Sequence, residues 1–282
     1  GAVIYSSIVS AADELVVSTF RETGPERLPS SITLIDSDTI HASAVQHFEE
    51  LIAQVPNLNY SGDGNRARYL QIRGIGELEQ YEGAPNPSVG FIVDDIDLSG
   101  LGSAATLFDI DQVEVLRGPQ GTLQGRTSPG GTINIITAKP DLNETTGYVS
   151  TTFTDNSGTN AQFGASLPVI PGSLAFRFAG VYDKSDLNEA KNVLDGSVSE
   201  NKTSSGRLSM SWAPSDTLII DLAYQYMDND LDAVTTIAGS STLPLQPLAL
   251  PAIKANEFLG IELQPLLNEG EYSNTSLNIQ WD

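Results

Sequence analysis

The chain has 282 residues, of which 36 are acidic and 14 basic, giving a formal net charge of −22. This charge excludes the usual partners of basic proteins, because nucleic acid and anionic membrane surfaces attract lysine and arginine. Cysteine is absent, so no disulfide or thiolate site can form. The two histidines, His41 and His47, are six residues apart and do not share a helix face, so we expect no metal site and no cofactor.

The first 30 residues combine an apolar run with a polar linker. Residues 1–12 are interpreted as the remainder of a signal peptide, with an ordinary buried strand as the alternative. Residues 13–30 contain a short β-prone run followed by a linker with Pro25 and Pro29. The β-prone run consists of Glu14, Leu15, Val16, Val17, Ser18 and Thr19.

Residues 31–140 alternate between strand and loop signals and contain one helical pattern. Residues 31–35 are predicted to be a strand, and Ser37 is predicted to cap a helix with Asp38 in its first turn. Apolar residues then recur at helical spacing until Pro56: Ile40, Ala44, Phe48, Leu51, Ile52 and Val55. A polar loop is expected at 59–68, a strand at 69–73, and a hairpin with strands 89–93 and 96–98 around a turn at Asp94 and Asp95.

The most informative segment runs from residue 113 to residue 137. Two β-rich runs, 113–116 and 132–137, flank a connection with five glycines and two prolines. Glycine permits backbone angles that side chains forbid, and proline stops regular pairing, so a preset connection between two strands is expected. Residues 31–140 are therefore predicted to form a compact α+β domain.

After Pro140 the pattern changes to strict alternation. One predicted face carries Leu174, Phe176, Phe178 and Tyr182, and the opposite face carries Ala175, Arg177 and Ala179. The same alternation recurs in three later segments around Leu208, Leu222 and Leu277. One apolar and one polar face is typical of a membrane barrel, but also of a soluble antiparallel sandwich, so alternation alone does not decide between them.

The lengths of the connections favour the barrel. Short links are expected at 169–172 and 214–216, and long polar links at 183–204 and 228–271, which is the pattern of transmembrane barrels. No run of 18 apolar residues occurs, so no transmembrane helix is expected. About six strands are expected in residues 141–282, whereas a plugged transporter needs roughly 22, so this part is interpreted as the truncated beginning of a barrel.

Several motifs resemble those of TonB-dependent outer-membrane receptors. Ile-Arg-Gly-Ile-Gly at 72–76 resembles the family's Ile-Arg-Gly motif, and Phe-Ile-Val-Asp-Asp at 91–95 resembles its Val-Asp-Gly hairpin, with Asp95 where glycine is usual. Val-Glu-Val-Leu-Arg-Gly-Pro-Gln-Gly at 113–121 and Gly-Gly-Thr-Ile-Asn-Ile-Ile at 130–136 also match. The resemblance implies an α+β plug domain followed by antiparallel transmembrane β-barrel strands.

The same resemblance implies energy-coupled import. Residues 14–19 resemble the TonB box, a strand that can add to a sheet edge of the inner-membrane partner TonB, with a processing remnant as the alternative. Arg73 and Arg117 stand in plug motifs, where the resemblance implies pairing with barrel carboxylates; the alternative is an exposed surface arginine. Outer-membrane lipid is the expected surrounding of the barrel.

The ligand is expected to be a small molecule, most often a ferric siderophore in this family, with carbohydrate or cobalamin as alternatives. Candidate contacts lie on loops that the resemblance turns outward: Arg66, Arg68, Tyr81 and Asn86, each with a solvated loop as the alternative. An enzyme is disfavoured, because acid–base catalysis needs two carboxylates facing one substrate and a hairpin turn offers no such pocket. The alternative from another functional class is a soluble or surface β-sandwich binding module.

Overall fold

A computed structural model describes ten segments of the chain: 31–42, 47–61, 69–77, 87–99, 107–119, 128–154, 158–192, 196–233, 259–260 and 266–281. The N-terminal elements are β1 Ser31–Asp36, α1 Ser37–Ala42, α2 Phe48–Ile52, β2 Leu58–Ser61, β3 Tyr69–Ile72, β4 Ile75–Gly76, β5 Val89–Val93, β6 Ile96–Asp97, β7 Ile110–Arg117 and β8 Gly131–Thr137. The later elements are β9 Thr146–Phe153, β10 Thr159–Ile170, β11 Leu174–Asn192, β12 Val198–Ser215, β13 Leu218–Ala233, β14 Leu259–Gly260 and β15 Leu266–Trp281. No helix in these segments is long and apolar enough to cross a membrane.

The N-terminal elements form an α+β unit around one apolar core, as predicted. Its five-stranded sheet has the order β1-β7-β8-β5-β6, and we name it the small sheet to distinguish it from the larger sheet described below. The strands β2, β3 and β4 form a separate sheet. Alternate residues of β7, Val113 and Val115, are fully buried against the two helices and β5. The rings of Phe48 and Phe91 meet edge to face, with centroids 5.2 Å apart. The predicted strands and hairpins of this unit are present, and β2 also includes residues 59–61, which the sequence placed in a loop.

The apolar spacing predicts one continuous helix, and this prediction is wrong. His47, between α1 and α2, has an extended backbone (φ −129°, ψ 149°), so the helical run is interrupted there. Its Nε2 atom lies 3.4 Å from Oδ2 of Asp183 on β11. We attribute the interruption to this contact between distant parts of the chain, which local periodicity cannot encode.

The cap of α1 is Asp36 rather than the predicted Ser37. The backbone amide of Thr39 donates to Oδ1 of Asp36 at 2.8 Å, which is the geometry of an N-cap carboxylate. Ser37 is instead the first residue of the helix. Hydrogen bonds from Thr39, first from its side chain and then from its amide, lower the pKa of Asp36.

We expect Asp36→Ala to destabilise the α+β unit by about 1 kcal/mol at neutral pH, the usual cost of losing a cap. Because folding lowers the pKa of Asp36, its ionic contribution is present above the unfolded-state pKa and is lost as pH falls through the folded-state value. Denaturant titrations of the unchanged protein and of Asp36→Ala at several pH values measure the difference in their free energies of unfolding. Asp38→Ala, in the same helical turn, is the control, and an effect independent of acid pH would contradict the expectation.

The strands after β8 form one sheet, the large sheet, in which six antiparallel strands have the order β15-β13-β12-β11-β10-β9 and the two-residue β14 pairs parallel to β11. The six expected strands are therefore present in the described residues. The turns after β10 and β12 are short, as predicted. The long links are shorter than predicted, because β11 and β12 remain paired up to Lys191 and Val198, and β13 and β15 up to Ala233 and Leu266. Polar residues continue these ladders because backbone pairing does not require an apolar face.

The two faces of the large sheet differ as the alternation predicts. Phe178, Leu208 and Tyr224 are in register on three neighbouring strands and are all exposed. More large apolar side chains are exposed on these strands, namely Phe163, Leu167, Tyr182, Trp212, Leu222, Tyr226, Leu277, Ile279 and Trp281. The opposite face is buried and mostly polar, with alternate β12 residues from Ser199 to Ser211. An exposed apolar band of this extent is typical of a surface that contacts lipid.

Candidate functional site

The small sheet is joined to the polar face of the large sheet at the start of β7. Leu107, Phe108 and Asp109 precede this strand and are at most 3% exposed. Asp109 has a left-handed backbone conformation (φ 55°), which is uncommon for a residue other than glycine. The tight corner turns its carboxylate and its carbonyl towards β11 and β12.

Arg177 of β11 binds the Asp109 carboxylate through two parallel hydrogen bonds. Nε donates to Oδ2 at 2.9 Å, and Nη2 donates to Oδ1 at 2.5 Å. The two side chains are 10% and 1% exposed. A bidentate pair of this kind fixes orientation as well as distance. Because each buried charge compensates the other, the pair holds β7 and β11 in one relative position.

Arg207 of β12 binds the same corner without using the carboxylate. Nη2 donates to the carbonyl of Phe108 at 3.2 Å, and Nη1 donates to the carbonyl of Asp109 at 3.4 Å. The guanidinium carbon lies 4.6 Å from the centroid of the Phe108 ring, which is a cation–π arrangement. Phe108 also packs against Ala179 and Val181 of β11.

Gly164 of β10 completes what we name the Asp109 cluster: Phe108, Asp109, Gly164, Arg177 and Arg207. A Cβ atom built at Gly164 would lie 2.6 Å from Cε1 of Tyr148 and 2.9 Å from Nη2 of Arg177, and closer still to Oδ1 of Asp109. The ion pair therefore occupies the space that any larger residue would need. Only glycine at this position lets the carboxylate approach β10.

Residues 138–145, which we name the connector, link the Asp109 cluster to the large sheet through further hydrogen bonds. The amide of Ala138 donates to the carbonyl of Asp109 at 2.9 Å. The amide of Asp141 donates to Ser166 Oγ at 2.6 Å, and the amide of Gly172 donates to the carbonyl of Leu142 at 2.7 Å. Lys139 lies 3.3 Å from Asp221. The connector is thus bonded to the corner before β7, to β10, to β13 and to the turn after β10.

The residues predicted to act in docking occupy different positions. Arg73 is exposed, with a φ of 54°. Arg117 donates to hydroxyls of β1, at 3.2 Å to Ser31 and 2.6 Å to Thr33. Burial, and then the nearby charge of Arg73, lower the pKa of Arg117. Neither arginine pairs with a carboxylate among the described residues, and their pairing with the barrel stays a prediction.

The other predicted site residues lie outside the described residues. They are the proposed TonB box at 14–19 and the candidate ligand contacts Arg66, Arg68, Tyr81 and Asn86. The signal-peptide interpretation of residues 1–12 also falls there. Within the described segments, no group of three or more histidine, aspartate or glutamate residues is placed to hold a metal ion.

Sequence reasoning missed the Asp109 cluster, although a signal for it was present. Arg177 and Arg207 stand on the polar face of neighbouring strands, in a chain with 14 basic residues. An inward arginine in a barrel strand needs a buried partner, because an unpaired charge there is costly. The left-handed backbone conformation that turns Asp109 towards these arginines is not foreseeable from its sequence neighbours.

A sheet that is apolar on its outer face, with a separate α+β unit docked on its polar inner face, defines a plugged membrane-barrel protein. Residues 25–132 match the TonB-dependent Receptor Plug Domain family. The pesticin receptor of Yersinia enterocolitica is 28% identical over 189 residues, which are 66% of this chain and 27% of that receptor. The ferric enterobactin receptor PirA of Pseudomonas aeruginosa is 28% identical over 220 residues, covering 71% of this chain and 29% of that receptor.

The fold agrees with these relatives. The solved structure of the ferric yersiniabactin uptake receptor FyuA from Yersinia pestis matches with a TM-score of 0.73 at 22% identity, covering 90% of this chain and 38% of that one. The chain belongs with the TonB-dependent receptors, and comprises their plug domain and the first strands of their barrel. It is accordingly an outer-membrane protein. It spans about a quarter to a third of the length of these two curated relatives. The domain boundary at residue 140 stays a prediction.

Proposed function

We propose that this chain works as part of an outer-membrane receptor that imports a ferric siderophore, using energy delivered by TonB. The observation that carries the proposal is the Asp109 cluster, which seats a folded plug against the barrel wall. Opening a plug held by buried charges is unfavourable because it leaves those charges without partners, which supports a need for work during the passage of a solute. The names of the relatives, among them a ferric enterobactin receptor and a ferric yersiniabactin uptake receptor, support a metal chelate as the cargo.

The proposed roles of individual residues follow from the resemblance. Residues 14–19 would bind TonB by adding a strand to its sheet. Arg66, Arg68, Tyr81 and Asn86 would contact the ligand through charge, stacking and hydrogen bonds. Arg73 and Arg117 would contribute to plug docking. The outer apolar band would face lipid. The proposal includes no bond chemistry on the cargo and no nucleic-acid partner.

The coupling step is tested by capture of the receptor on an immobilised periplasmic TonB domain. We expect the full-length receptor in detergent to bind and Val16→Pro to abolish binding, because proline removes a backbone N–H that a pairing strand donates. Val16→Ala is the matched control, since it shortens the side chain and keeps the N–H. Binding that survives the proline would remove residues 14–19 from the coupling role.

The same variants test import in cells that lack their own siderophore receptors. Cells carrying the receptor are given radioactive iron bound to yersiniabactin, enterobactin or pyoverdine, and labelled cobalamin in a separate assay. The proposal expects uptake of at least one ferric chelate, and loss of that uptake in Val16→Pro and in cells without TonB. Uptake of cobalamin alone would keep the energy coupling and change the cargo. Uptake that continues without TonB would overturn the function.

A further inference from the structure

The two connections that carry the candidate ligand contacts start and end on plug residues that lie close together. The first connection, 62–68, follows β2 and precedes β3. The second connection, 78–87, follows β4 and Glu77 and precedes Ser88 and β5. The candidate contacts on these connections are Arg66, Arg68, Tyr81 and Asn86. The described residues at the bases of both connections therefore decide from where each one leaves the plug.

Gln71 of β3 joins the bases of both connections. It is 7% exposed, and its Nε2 atom donates to Ser61 Oγ at 3.2 Å and to the carbonyl of Tyr69 at 3.3 Å, which are the two ends of the first connection. The same atom donates to the carbonyl of Glu77, where the second connection begins. Gly76 leaves room for this side chain, because a Cβ atom there would lie 2.9 Å from Cγ of Gln71. One amide group thus fixes three chain segments around a single point.

Glu77 closes the base of the second connection. Its Oε1 atom accepts from the Ser88 amide at 2.8 Å and from Ser88 Oγ at 2.6 Å, and hydrogen bonds to a carboxylate are stronger than those between neutral groups. The carbonyl of Ser88 accepts from the Gly130 amide at 2.9 Å, next to the first residue of β8. The second connection is therefore closed at its base and fixed to the small sheet. We name Ser61, Gln71, Glu77 and Ser88 the neck network.

We propose that Gln71 and Glu77 are positioning residues, which hold the two connections in the relative placement that a ferric chelate requires, so that the affinity for the chelate depends on them. A ligand that contacts both connections binds more tightly when their placement is fixed beforehand, because less ordering then accompanies binding. Hydrogen bonds behind the contacting side chains are the usual means of such fixation. This inference rests on the proposed function for the location of the ligand contacts on these connections.

The first test is equilibrium binding to the full-length receptor in detergent, without TonB. The probes are ferric yersiniabactin, ferric enterobactin and ferripyoverdine, each with radioactive iron. Gln71→Met keeps the length of the side chain and removes its donor, and we expect it to raise the Kd of the bound chelate about tenfold. Gln54→Met makes the same change at an exposed glutamine of the plug and should leave the Kd unchanged.

Variants of Glu77 separate geometry from charge. Glu77→Ala removes both bonds to Ser88 and should also raise the Kd. Glu77→Gln should retain the affinity, because its amide oxygen can accept from the Ser88 amide and hydroxyl without the charge. Should Gln71→Met fail to fold, Glu77→Ala and its rescue by Glu77→Gln carry the test. A Kd that neither Gln71→Met nor Glu77→Ala changes would overturn the inference.

A core variant distinguishes positioning from general loss of stability. Ile133 is fully buried in the small sheet and makes no bond of the neck network, so Ile133→Val lowers the free energy of unfolding without touching the network. Denaturant titration gives this free energy for each variant. We expect Ile133→Val to leave the Kd unchanged. A rise in Kd that follows the loss of stability equally in Ile133→Val and Gln71→Met would show a merely structural role and would contradict the inference.

The second test needs no ligand. Asn65→Cys and Glu82→Cys place one spin label on each connection, in a chain without other cysteines, and any cysteine in the rest of the receptor is replaced by serine. Pulsed electron paramagnetic resonance then measures the distances between the labels. We expect Gln71→Met to broaden or shift the distance distribution and Gln54→Met to leave it unchanged. An unchanged distribution in Gln71→Met would overturn the inference.

The two tests separate this inference from the proposed function. A receptor that binds none of the three chelates would contradict the proposed cargo, and the distances between the labels would still decide whether the neck network places the two connections. Failure of capture by the TonB domain would remove the coupling role and leave both tests unaffected.

Discussion

Asp109→Ala should lower the free energy that keeps the plug docked by about 3–5 kcal/mol, the usual cost of removing one partner of a buried ion pair. The substitution leaves the Arg177 guanidinium buried opposite a methyl group, without the two hydrogen bonds that it now makes. Denaturant titration of the full-length receptor in detergent, with protease cleavage of the plug as the readout, measures this loss.

A double variant separates the loss of the pair from the burial of an unpaired charge. Asp109→Ala with Arg177→Met removes both charges, and we expect it to recover much of the docking free energy lost in Asp109→Ala. Asp95→Ala, an exposed plug carboxylate with a positive φ, is the single-site control. A loss below about 1 kcal/mol in Asp109→Ala would show that the pair behaves like an exposed salt bridge and does not anchor the plug.

Gly131→Ala should destabilise the plug on the order of 3 kcal/mol or prevent its folding, because two penalties coincide there. Gly131 has a φ of 141°, which residues with a side chain rarely adopt. A Cβ atom would also collide with the backbone carbonyl of Leu116 and lie 2.9 Å from Cδ1 of Ile72. A backbone neighbour in a paired strand cannot move aside. The same denaturant titration measures the effect.

Gly118, at the β7 end of the connection between β7 and β8, provides a control with only one of the two penalties. It has a φ of 104°, but a Cβ atom there would meet nothing within 4 Å. Gly118→Ala should therefore cost about 1–2 kcal/mol, the strain of a left-handed backbone alone. The difference between the two variants measures the collision. Equal losses would indicate that backbone strain is the whole effect at both positions.

Local sequence determined most of the strands and the family. The runs at 113–116 and 132–137 lie in β7 and β8. The two ends of the glycine–proline segment between them are joined by a hydrogen bond, in which the Gly118 amide donates to the Gly130 carbonyl at 3.1 Å. Period-two alternation placed Phe178 outside and Arg177 inside correctly. Such features follow from the residues themselves, since steric limits and the alternation of side chains act over a few positions.

Sequence was less informative where a strand could continue without an apolar pattern. Residues 183–192 and 198–204 were predicted as a polar link, yet they form the ends of β11 and β12, which pair in register up to Asp186 and Glu200 and, after an irregularity, again at Lys191 and Val198. The helix predicted over His47 failed for a related reason. His47 adopts an extended backbone beside Asp183, a residue 136 positions later. In each case a partner strand or side chain from elsewhere in the chain overrides the local preference.

By itself, the sequence determined the plug motifs, the apolar and polar faces of the barrel strands and the short turns between them. Only the tertiary structure decided which charges hold the plug. Asp109 meets Arg177 because β7 leaves a corner with a φ of 55°, and because Gly164 leaves room on β10. Arg207 reaches the same corner from the next strand. Gly164, Arg177 and Arg207 lie 55 to 98 positions after Asp109 in the sequence. A pair of buried charges at such a separation is set by packing, which a linear pattern does not record.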